Sequence, residues 1–270
     1  MSGLELLDAV ILGVVEGVTE FLPISSTGHL IVAGSLLGFT GERAKTFEIV
    51  IQFGAILAVM ALYRERFRVL LLELRSPIQQ RLVLNLTVAF LPAAIIGLLV
   101  HHWIKAHGFA PLVVSWTMVL GGVAILAIER WRPAVRLAEV DDIRLPTALG
   151  IGLAQTLALI PGVSRSGATI MGGYLLGCSR RAATEFSFFL AVPVIAAAAG
   201  FDLDQGLDGL TSQDIPLFLV GFLVAFLSAF VVVGRFLRYV SGHSFAAFAW
   251  YRIGVGAVLL WWLYRGTGST

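Results

Sequence analysis

The sequence predicts an all-α polytopic membrane protein with six transmembrane helices, two re-entrant helix hairpins and an inverted-topology internal repeat. Three observations support this prediction. Hydrophobic residues make up 58% of the 270 residues and charged residues 13%, and the mean hydropathy is +0.89, which excludes a water-soluble surface. Several apolar stretches have the length that crosses a bilayer. Finally, polar motifs interrupt apolar sequence at matching positions of the two halves.

The apolar stretches are nearly uninterrupted, and each approaches the ~20 residues that a spanning helix needs. They cover residues 46–63, 82–100, 111–128, 183–201, 215–234 and 245–264. Strands of a membrane barrel would alternate in polarity, and these stretches do not. The spans are therefore predicted to be helices.

Arginines in the connecting segments predict which loops face the cytoplasm. Three groups of them lie between spans: Arg64, Arg66, Arg68, Arg75 and Arg81; Arg130, Arg132, Arg136 and Arg144; and Arg235 and Arg238. The loops 101–110 and 202–214 are then expected outside, together with both termini. The second of these loops contains four aspartates, Asp202, Asp204, Asp208 and Asp214, and no Lys or Arg.

Residues 5–38 and 145–177 do not fit as single spans. Each consists of an apolar segment, a break, and a second apolar segment of about ten residues that is too short to cross. The breaks are predicted at residues 23–26 and 161–164. A hairpin that enters the membrane and returns fits such a pattern, because non-helical backbone at this depth must be buried in protein or line a wet cavity.

The two halves are related at a constant offset of 139 residues, the separation of Gly13 and Gly152. Eleven positions of the first half carry the same or a similar residue as the position 139 residues later. The pairs are Gly13 with Gly152, Glu16 with Gln155, Ser25 with Ser164, Gly28 with Gly167, Ile31 with Ile170, Gly34 with Gly173, Leu36 with Leu175, Leu37 with Leu176, Gly38 with Gly177, Ala44 with Ala183, and Phe47 with Phe186. We predict a single membrane domain over 1–270, with repeats at about 1–135 and 145–270. Three spans per repeat would invert the second copy, so that the hairpins meet near the middle.

Glu16 and Glu20 lie four residues apart in the first hairpin, so both carboxylates project from one helix face. Two such charges in a low dielectric repel each other unless one is protonated or a cation lies between them. Mg²⁺ and Ca²⁺ prefer oxygen ligands, and a bound phosphate would supply more of them. The pair therefore predicts a divalent metal site. A pair neutralised by Arg165, or hydrogen-bonded without a metal, is the alternative.

Hydroxyl residues follow the first break. Ser25, Ser26 and Thr27 precede a short helix, whose free backbone N–H groups and dipole suit a phosphate. His29 comes three residues after Ser26, within reach of proton exchange with a hydroxyl or a phosphoryl oxygen. We interpret His29 as functional because it accompanies two carboxylates and a serine pair. A satisfied structural histidine is the alternative.

The second break supplies the fixed positive charge that the first one lacks. Arg165 lies there among small and polar neighbours, which are Gly162, Ser164, Ser166, Gly167 and Thr169. Glycines allow close backbone approach to a ligand. A guanidinium can bind two phosphate oxygens at once and stabilise charge that develops on them. An ion pair from Arg165 to Glu16 or Glu20 that only links the hairpins is the alternative, and both can hold.

At these residues the chain resembles the undecaprenyl pyrophosphate phosphatases, also called undecaprenyl-diphosphatases or bacitracin-resistance proteins. The family's acidic Glu/Gln-x-x-x-Glu motif is matched by Glu16 and Glu20. Its serine–histidine segment is matched by residues 25–29, and its Pro-Gly-x-Ser-Arg-Ser-x-x-Thr motif by residues 161–169. Further likeness at 46–48, 185–193 and 214–216 extends the resemblance over nearly the whole chain.

The resemblance implies a bacterial inner-membrane hydrolase that removes the terminal phosphate from undecaprenyl diphosphate, recycling the lipid carrier for peptidoglycan synthesis. It implies Mg²⁺ or Ca²⁺ as cofactor, a homodimer, and a site that opens to the periplasmic side. Roles in cell wall biogenesis, cell shape and bacitracin resistance belong to the same family. The expected partners are the polyprenyl diphosphate and membrane lipids, and no nucleic acid.

Carried over residue by residue, the resemblance makes Ser26 the candidate nucleophile, with His29 as its proton partner. Glu16 and Glu20 become the metal and base residues, and Arg165 becomes the phosphate clamp. The phosphate-binding set adds Ser25, Thr27, Gly162, Ser164, Ser166 and Thr169. The residues themselves leave three routes open, which are a phosphoserine, a phosphohistidine or direct attack by water.

A secondary transporter or flippase for a polyprenyl phosphate or another anion is the alternative function. Broken helices around a central site serve transport as well as catalysis, and an anion carrier would also need an arginine. Release of inorganic phosphate by the purified protein distinguishes the two.

Overall fold

The computed structural model describes residues 3–107, 110–131, 134–206, 211–212 and 214–266. For residues 3–4, 101–103, 105–107, 201–206 and 266 it describes only the backbone. Its regular structure in these ranges is helical, apart from an isolated bridge between Leu137 and Cys178. The described α-helices are α1 (Gly3–Thr19), α2 (Ser26–Leu37), α3 (Glu42–Leu62), α4 (Arg64–Leu72), α5 (Pro77–His107), α6 (Pro111–Trp131), α7 (Leu145–Gln155), α8 (Arg165–Leu175), α9 (Arg180–Gly206), α10 (Ile215–Val240) and α11 (Ala246–Gly266). Single 3₁₀ turns cover Val140–Asp142 and Thr156–Leu159.

Six of the described helices, α3, α5, α6, α9, α10 and α11, are long and apolar enough to cross a membrane. They confirm the predicted helical class and the six predicted spans. Three of them begin earlier in the chain than their apolar stretches: α3 begins at Glu42, α5 at Pro77 and α9 at Arg180. A helix with polar residues at its end extends beyond the hydrocarbon into the headgroup region, with its backbone hydrogen bonds intact. Hydropathy alone therefore places the first residue of such a helix too late in the sequence.

The predicted loops at 101–110 and 202–214 are wrong in part. Helix α5 continues to His107 and α9 to Gly206. Residues 101–107 contain neither Gly nor Pro, so nothing in the sequence stops the helix where the apolar stretch ends. Arg132 and Asp208, which supported the predicted orientation, lie outside the described residues, as do the side chains of Asp202 and Asp204.

Each of the two predicted breaks separates one helix from the short helix that follows it. Residues 20–25, the first break, separate α1 from α2, and residues 160–164, the second break, separate α8 from α7 and its 3₁₀ turn. With 12 and 11 residues, α2 and α8 are roughly 18 and 16 Å long, well short of the ~30 Å hydrocarbon layer. Ser26, predicted within the first break, is instead the first residue of α2.

Ion pairs and backbone hydrogen bonds show where the broken pairs begin and end. Arg43 at the start of α3 lies 3.8 Å from Glu5 in α1 and 2.6 Å from Asp214 before α10. In the second half, the segment before α7 pairs with the segment after α8, since the Ser179 N–H donates to the Leu137 carbonyl at 2.8 Å. In each broken pair, the chain at the start of the pair is therefore in contact with the chain that follows it.

Helices of one half pack on helices of the other. Helix α1 lies against α10, α7 lies against α5, and α6 lies against α11. Glycines allow the close approach: a Cβ on Gly13 would lie 2.7 Å from the Gly221 carbonyl oxygen, and a Cβ on Gly152 would lie 2.5 Å from the Ala89 carbonyl oxygen. A core of aromatic side chains, including Phe21, Phe47, Phe186, Phe188 and Phe245, is fully buried between the helices.

Candidate active site

The two breaks are in direct contact. The Ser166 hydroxyl, in the first turn of α8, donates to the Leu22 carbonyl of the first break at 2.7 Å. The buried Arg252 guanidinium on α11 donates to Pro23 at 3.2 Å in the first break, and to Gly162 at 3.0 Å and Val163 at 2.9 Å in the second. These bonds fix the starts of α2 and α8 beside each other.

Each short helix begins with a strained serine. Ser25 has φ 72° and Ser164 has φ 78°, the only positive φ values among the described non-glycine residues. Both serines cap their helices, since the Gly28 N–H donates to Ser25 Oγ at 3.4 Å and the Gly167 N–H to Ser164 Oγ at 3.1 Å. Such strain costs about 1–3 kcal/mol per residue and is retained where it positions functional groups.

Three of the predicted residues form one hydrogen-bonded chain at this contact. Arg165 Nη2 donates to Glu20 Oε1 at 2.7 Å, and Ser26 Oγ donates to Glu20 Oε2 at 2.5 Å. Glu20 therefore lies between the fixed charge of the second half and the hydroxyl of the first half. All three side chains are largely buried. The ion pair considered as an alternative for Arg165 is present, and its acidic partner is Glu20.

The Arg165 guanidinium is held from several sides. Besides the bond to Glu20, its Nη1 donates to the Ser187 carbonyl on α9 at 3.1 Å, and the group lies 5.8 Å from the Phe21 ring centroid. Its Nε is buried and has no hydrogen-bond partner among the described residues. A buried unpaired donor beside two helix N-termini fits an anion.

Glu16 is the most isolated polar group of the site. Its side chain is fully buried (0% exposed), and neither carboxylate oxygen has a hydrogen-bond partner in the described part of the chain. A buried, unpaired carboxylate is costly, so Glu16 must either be protonated or meet a ligand that the described side chains do not supply. A divalent cation fits this need. No group of three or more His, Cys, Asp or Glu suited to a metal occurs among the described residues, so further oxygens would come from other sources, such as water or a bound phosphate.

His29 has partners other than Ser26. Its Nδ1 lies 2.7 Å from the Ser25 carbonyl oxygen, and its Nε2 lies 2.8 Å from the hydroxyl of Tyr251 on α11. Because a carbonyl oxygen only accepts, Nδ1 carries the hydrogen, and Nε2 of a neutral ring accepts from Tyr251. The imidazole therefore supports the strained backbone at Ser25, while the Ser26 hydroxyl is bonded to Glu20.

The remaining predicted phosphate residues surround the breaks. The Thr169 hydroxyl is buried, donates to the Arg165 carbonyl at 2.9 Å and lies 2.7 Å from Ser187 Oγ, so it stabilises the first turn of α8 from within the protein. Gly162 has φ 89°, and a Cβ there would lie 2.1 Å from Thr117 Oγ1. Thr27 is half-buried in the first turn of α2.

The sequence-based prediction missed Arg252, Tyr251 and Ser187. Arg252 is 1% exposed and donates only to carbonyl oxygens, which also include those of Thr117 and Met118 on α6. One signal was available, because an arginine within a predicted apolar span is a functional candidate by itself. Nothing in the sequence indicated that Ser187 or Tyr251 would contact the site.

These features define an integral membrane protein in which six apolar helices support a buried site suited to a phosphate. The chain belongs to the bacitracin resistance protein BacA family, whose sequence model matches residues 9–258. It is 54% identical over 262 residues to undecaprenyl-diphosphatase of Acidovorax ebreus (strain TPSY), covering 96% of each chain. It is 54% identical over 261 residues to undecaprenyl-diphosphatase of Dechloromonas aromatica (strain RCB), covering 96% and 95%. For undecaprenyl-diphosphatase of Methylococcus capsulatus the identity is 55% over 255 residues, covering 94% and 93%.

Proposed function

We propose that this chain is an integral membrane phosphatase that hydrolyses undecaprenyl diphosphate to undecaprenyl phosphate and inorganic phosphate. The product is the lipid carrier that peptidoglycan synthesis uses again. Membership of the family and the names of relatives that match nearly the whole chain support this activity. The structural observation that supports it best is the chain of hydrogen bonds from Arg165 through Glu20 to Ser26. A transporter or flippase is not favoured, because these relatives are named for a hydrolytic activity.

Ser26 acts as the nucleophile and Glu20 as its base. Glu20 takes the hydroxyl proton, the Ser26 oxygen forms a bond to the terminal phosphorus, and the anhydride P–O bond breaks to release undecaprenyl phosphate. Water then attacks the phosphoserine. The P–Oγ bond breaks, Glu20 returns its proton to Ser26, and the released phosphate keeps the oxygen and both hydrogens of the water. The hydrogen bond between Ser26 and Glu20 supports this route over a phosphohistidine, since both nitrogens of His29 have other partners.

Charge stabilisation comes from the second half of the chain and from the short helices. Phosphoryl transfer depends mainly on positioning and on stabilising the equatorial oxygens. Arg165 supplies a fixed charge with an unpaired Nε, and the N-termini of α2 and α8 add backbone N–H groups that have no intrahelical partner. Ser25, Ser164 and Gly162 contribute by fixing the backbone from which these donors project.

Glu16, with Glu20 beside it, would hold a divalent cation, Mg²⁺ or Ca²⁺. Such an ion neutralises diphosphate charge and draws electron density from the phosphorus. The unpaired oxygens of Glu16 support this assignment.

The two broken helix pairs form re-entrant hairpins in an inverted repeat, with repeats at about 1–135 and 145–270 in one membrane domain. The matching caps at Ser25 and Ser164 support this arrangement, as does the exchange of partners in which α1 packs on α10 and α7 on α5. The first hairpin lies at the end of the bundle where α3 starts, since Glu5 pairs with Arg43. The second lies at the end where α4 is, since Asp141 before α7 pairs with Arg66 on α4.

The resemblance to the family favours a homodimer in the bacterial inner membrane, with the site open to the periplasmic side. The polyprenyl diphosphate would then approach from the leaflet in which its headgroup faces that side.

Release of phosphate tests the proposed function. Protein purified in detergent is given undecaprenyl diphosphate with Mg²⁺ or Ca²⁺, and inorganic phosphate is measured with and without a chelator. We expect release with either ion, loss of release with the chelator, and recovery when the ion is restored. Absence of release under all conditions would refute the phosphatase, and release that is indifferent to the chelator would refute the metal site alone.

A further inference from the structure

A groove lies where α5 and α7 begin, and none of its lining residues belongs to the candidate active site. Its volume is about 480 Å³. The polar part of the lining is Gln80, Arg81 and Arg144, and the apolar part includes Leu84, Leu145 and Pro146. The proposed phosphatase makes no use of this groove.

The groove carries positive charge without a matching acid. No Asp or Glu lines it. Arg81 donates to the backbone carbonyl of Asp141 at 2.6 Å, and the Arg144 guanidinium makes no hydrogen bond with any described residue. Neither nearby carboxylate forms an ion pair with these arginines among the described residues: Asp141 pairs with Arg66, and Asp142 accepts from the Glu139 N–H at 2.9 Å. Two guanidiniums therefore remain available to an anion.

Apolar surface lies directly beside these charges. Leu84 is 48% exposed and Leu145 is 41% exposed. The part of α5 that is long and apolar enough to cross a membrane begins at Pro77, and Leu84 lies seven residues further, roughly 10 Å along the helix axis. The arginines thus lie near the level of lipid headgroups, where long basic side chains place their charge, and Leu84 lies deeper, toward the hydrocarbon.

We propose that this groove binds an anionic glycerophospholipid. Arg81 and Arg144 bind the headgroup phosphate, and an acyl chain covers Leu84 and Leu145. Paired guanidiniums beside apolar surface match a charged headgroup joined to a hydrocarbon chain, whereas a free phosphate has no use for the exposed leucines. Because α7 leads to the second break, a lipid bound between α5 and α7 also stabilises the helix pair that presents Arg165.

The test compares two charge-matched double variants. Arg81→Gln with Arg144→Gln removes the groove's charge, and Arg235→Gln with Arg238→Gln removes the same charge from the exposed end of α10. Purified proteins are titrated with phosphatidylglycerol or phosphatidylcholine, and bound lipid is counted by native mass spectrometry. At about a fivefold loss per arginine, the groove variant should bind phosphatidylglycerol roughly 30-fold more weakly than wild type, while the α10 variant should match wild type.

Equal binding of phosphatidylglycerol by wild type and the groove variant would overturn the proposal. So would equal binding of phosphatidylcholine and phosphatidylglycerol by wild type. Protection from thermal unfolding by inorganic phosphate that matches the protection by phosphatidylglycerol, and that is lost in the groove variant, would also overturn it. The single change Arg144→Gln disturbs no hydrogen bond among the described residues, so it keeps the test valid if the double variant folds poorly. It should weaken phosphatidylglycerol binding roughly fivefold.

Discussion

Ser26 and His29 lie within one turn of α2, yet they have different partners. The Ser26 hydroxyl donates to Glu20, and the His29 ring lies between the Ser25 carbonyl and the Tyr251 hydroxyl. Ser26 thus carries the reactive hydroxyl, whereas His29 supports the backbone at Ser25. This division was not predicted from the spacing of Ser26 and His29, which is compatible with direct contact.

Replacement of Ser26 tests the nucleophile. Ser26→Ala should lower kcat roughly 100-fold or more, because both the attacking oxygen and its proton transfer to Glu20 are lost. The measurement is phosphate release at saturating undecaprenyl diphosphate. Ser35→Ala, an exposed serine of the same helix, should behave as wild type. Retained turnover in Ser26→Ala would exclude the serine and leave His29 or water as the attacking group.

His29 is expected to act as a positioning residue. The amide of asparagine can donate from nearly the position of Nδ1, so His29→Asn should keep the hydrogen bond to the Ser25 carbonyl and most of the activity. His29→Ala should lose both. Tyr251→Phe should weaken substrate binding or turnover mildly. The dependence of kcat on pH should be unchanged in His29→Asn. An inactive asparagine variant, or loss of one limb of the pH profile, would instead identify His29 as a proton donor or acceptor.

At the scale of single residues, the motifs predicted the right chemical groups but not their pairing. Glu20, Ser26 and Arg165 were expected together because charged and hydroxyl groups in apolar sequence need partners. Which carboxylate would face Arg165 depends on the rotation of α1 about its axis, and a single sequence does not specify that rotation. The five carbonyl partners of Arg252 come from three separate parts of the chain, so the spacing of residues along the sequence does not predict these hydrogen bonds.

At the scale of helices, Arg252 is the main link between the two broken pairs. Arg252→Met removes all donors to the Pro23, Gly162 and Val163 carbonyls, so the breaks should separate and phosphate release should fall by about tenfold or more. The unpaired carbonyls should also lower the unfolding free energy by ~3 kcal/mol or more. Phosphate release and thermal unfolding in detergent measure the two effects. Arg265→Met, near the other end of α11, should change neither.

Arg252→Lys separates the two contributions of the guanidinium. A lysine keeps the positive charge but cannot donate to five carbonyls at once. We expect it to recover only part of the lost activity. Full recovery by lysine would show that charge alone matters at this position and would contradict the positioning role.

The crossing of α1 and α10 depends on Gly17. A Cβ there would lie 2.0 Å from Ser228 Oγ and 2.4 Å from the Ala225 carbonyl oxygen. Gly17→Ala should therefore push α1 away from α10, displace Glu16 and Glu20, and destabilise the protein by about 1–3 kcal/mol. Gly254→Ala on α11 is the control, because a Cβ at Gly254 has no atom within 4 Å. Thermal unfolding of both variants checks this expectation, which equal midpoints would contradict.

Helix existence was more predictable than helix ends. Apolar length identified all six spanning helices, since only an apolar helix is stable in hydrocarbon. The ends of α5 and α9 were placed too early, because a helix continues into water until a Gly, a Pro or a cap stops it. The second break was located to within one residue, whereas the first begins three residues earlier than predicted. Proline alone does not specify a break, since Pro92 and Pro193 lie inside the continuous helices α5 and α9.

At the scale of the whole molecule, the site requires both halves. The first half contributes Glu20 and Ser26, and the second contributes Arg165 and the Ser187 carbonyl to which Arg165 also donates. The constant offset between the halves predicted matching elements, and Ser25 and Ser164 have matching caps and backbone angles. The offset did not predict that Gln155, the counterpart of Glu16, would be buried with its amide unpaired.

A double-mutant cycle of phosphate release tests the joining of the two halves most directly. Glu20→Gln, Arg165→Gln and the variant with both changes are compared with wild type by kcat/KM for undecaprenyl diphosphate. Residues that act as one unit give non-additive losses, so the double variant should be about as impaired as the worse single variant. Losses that multiply, or near-normal turnover in either single variant, would contradict a site built from Glu20 and Arg165 together.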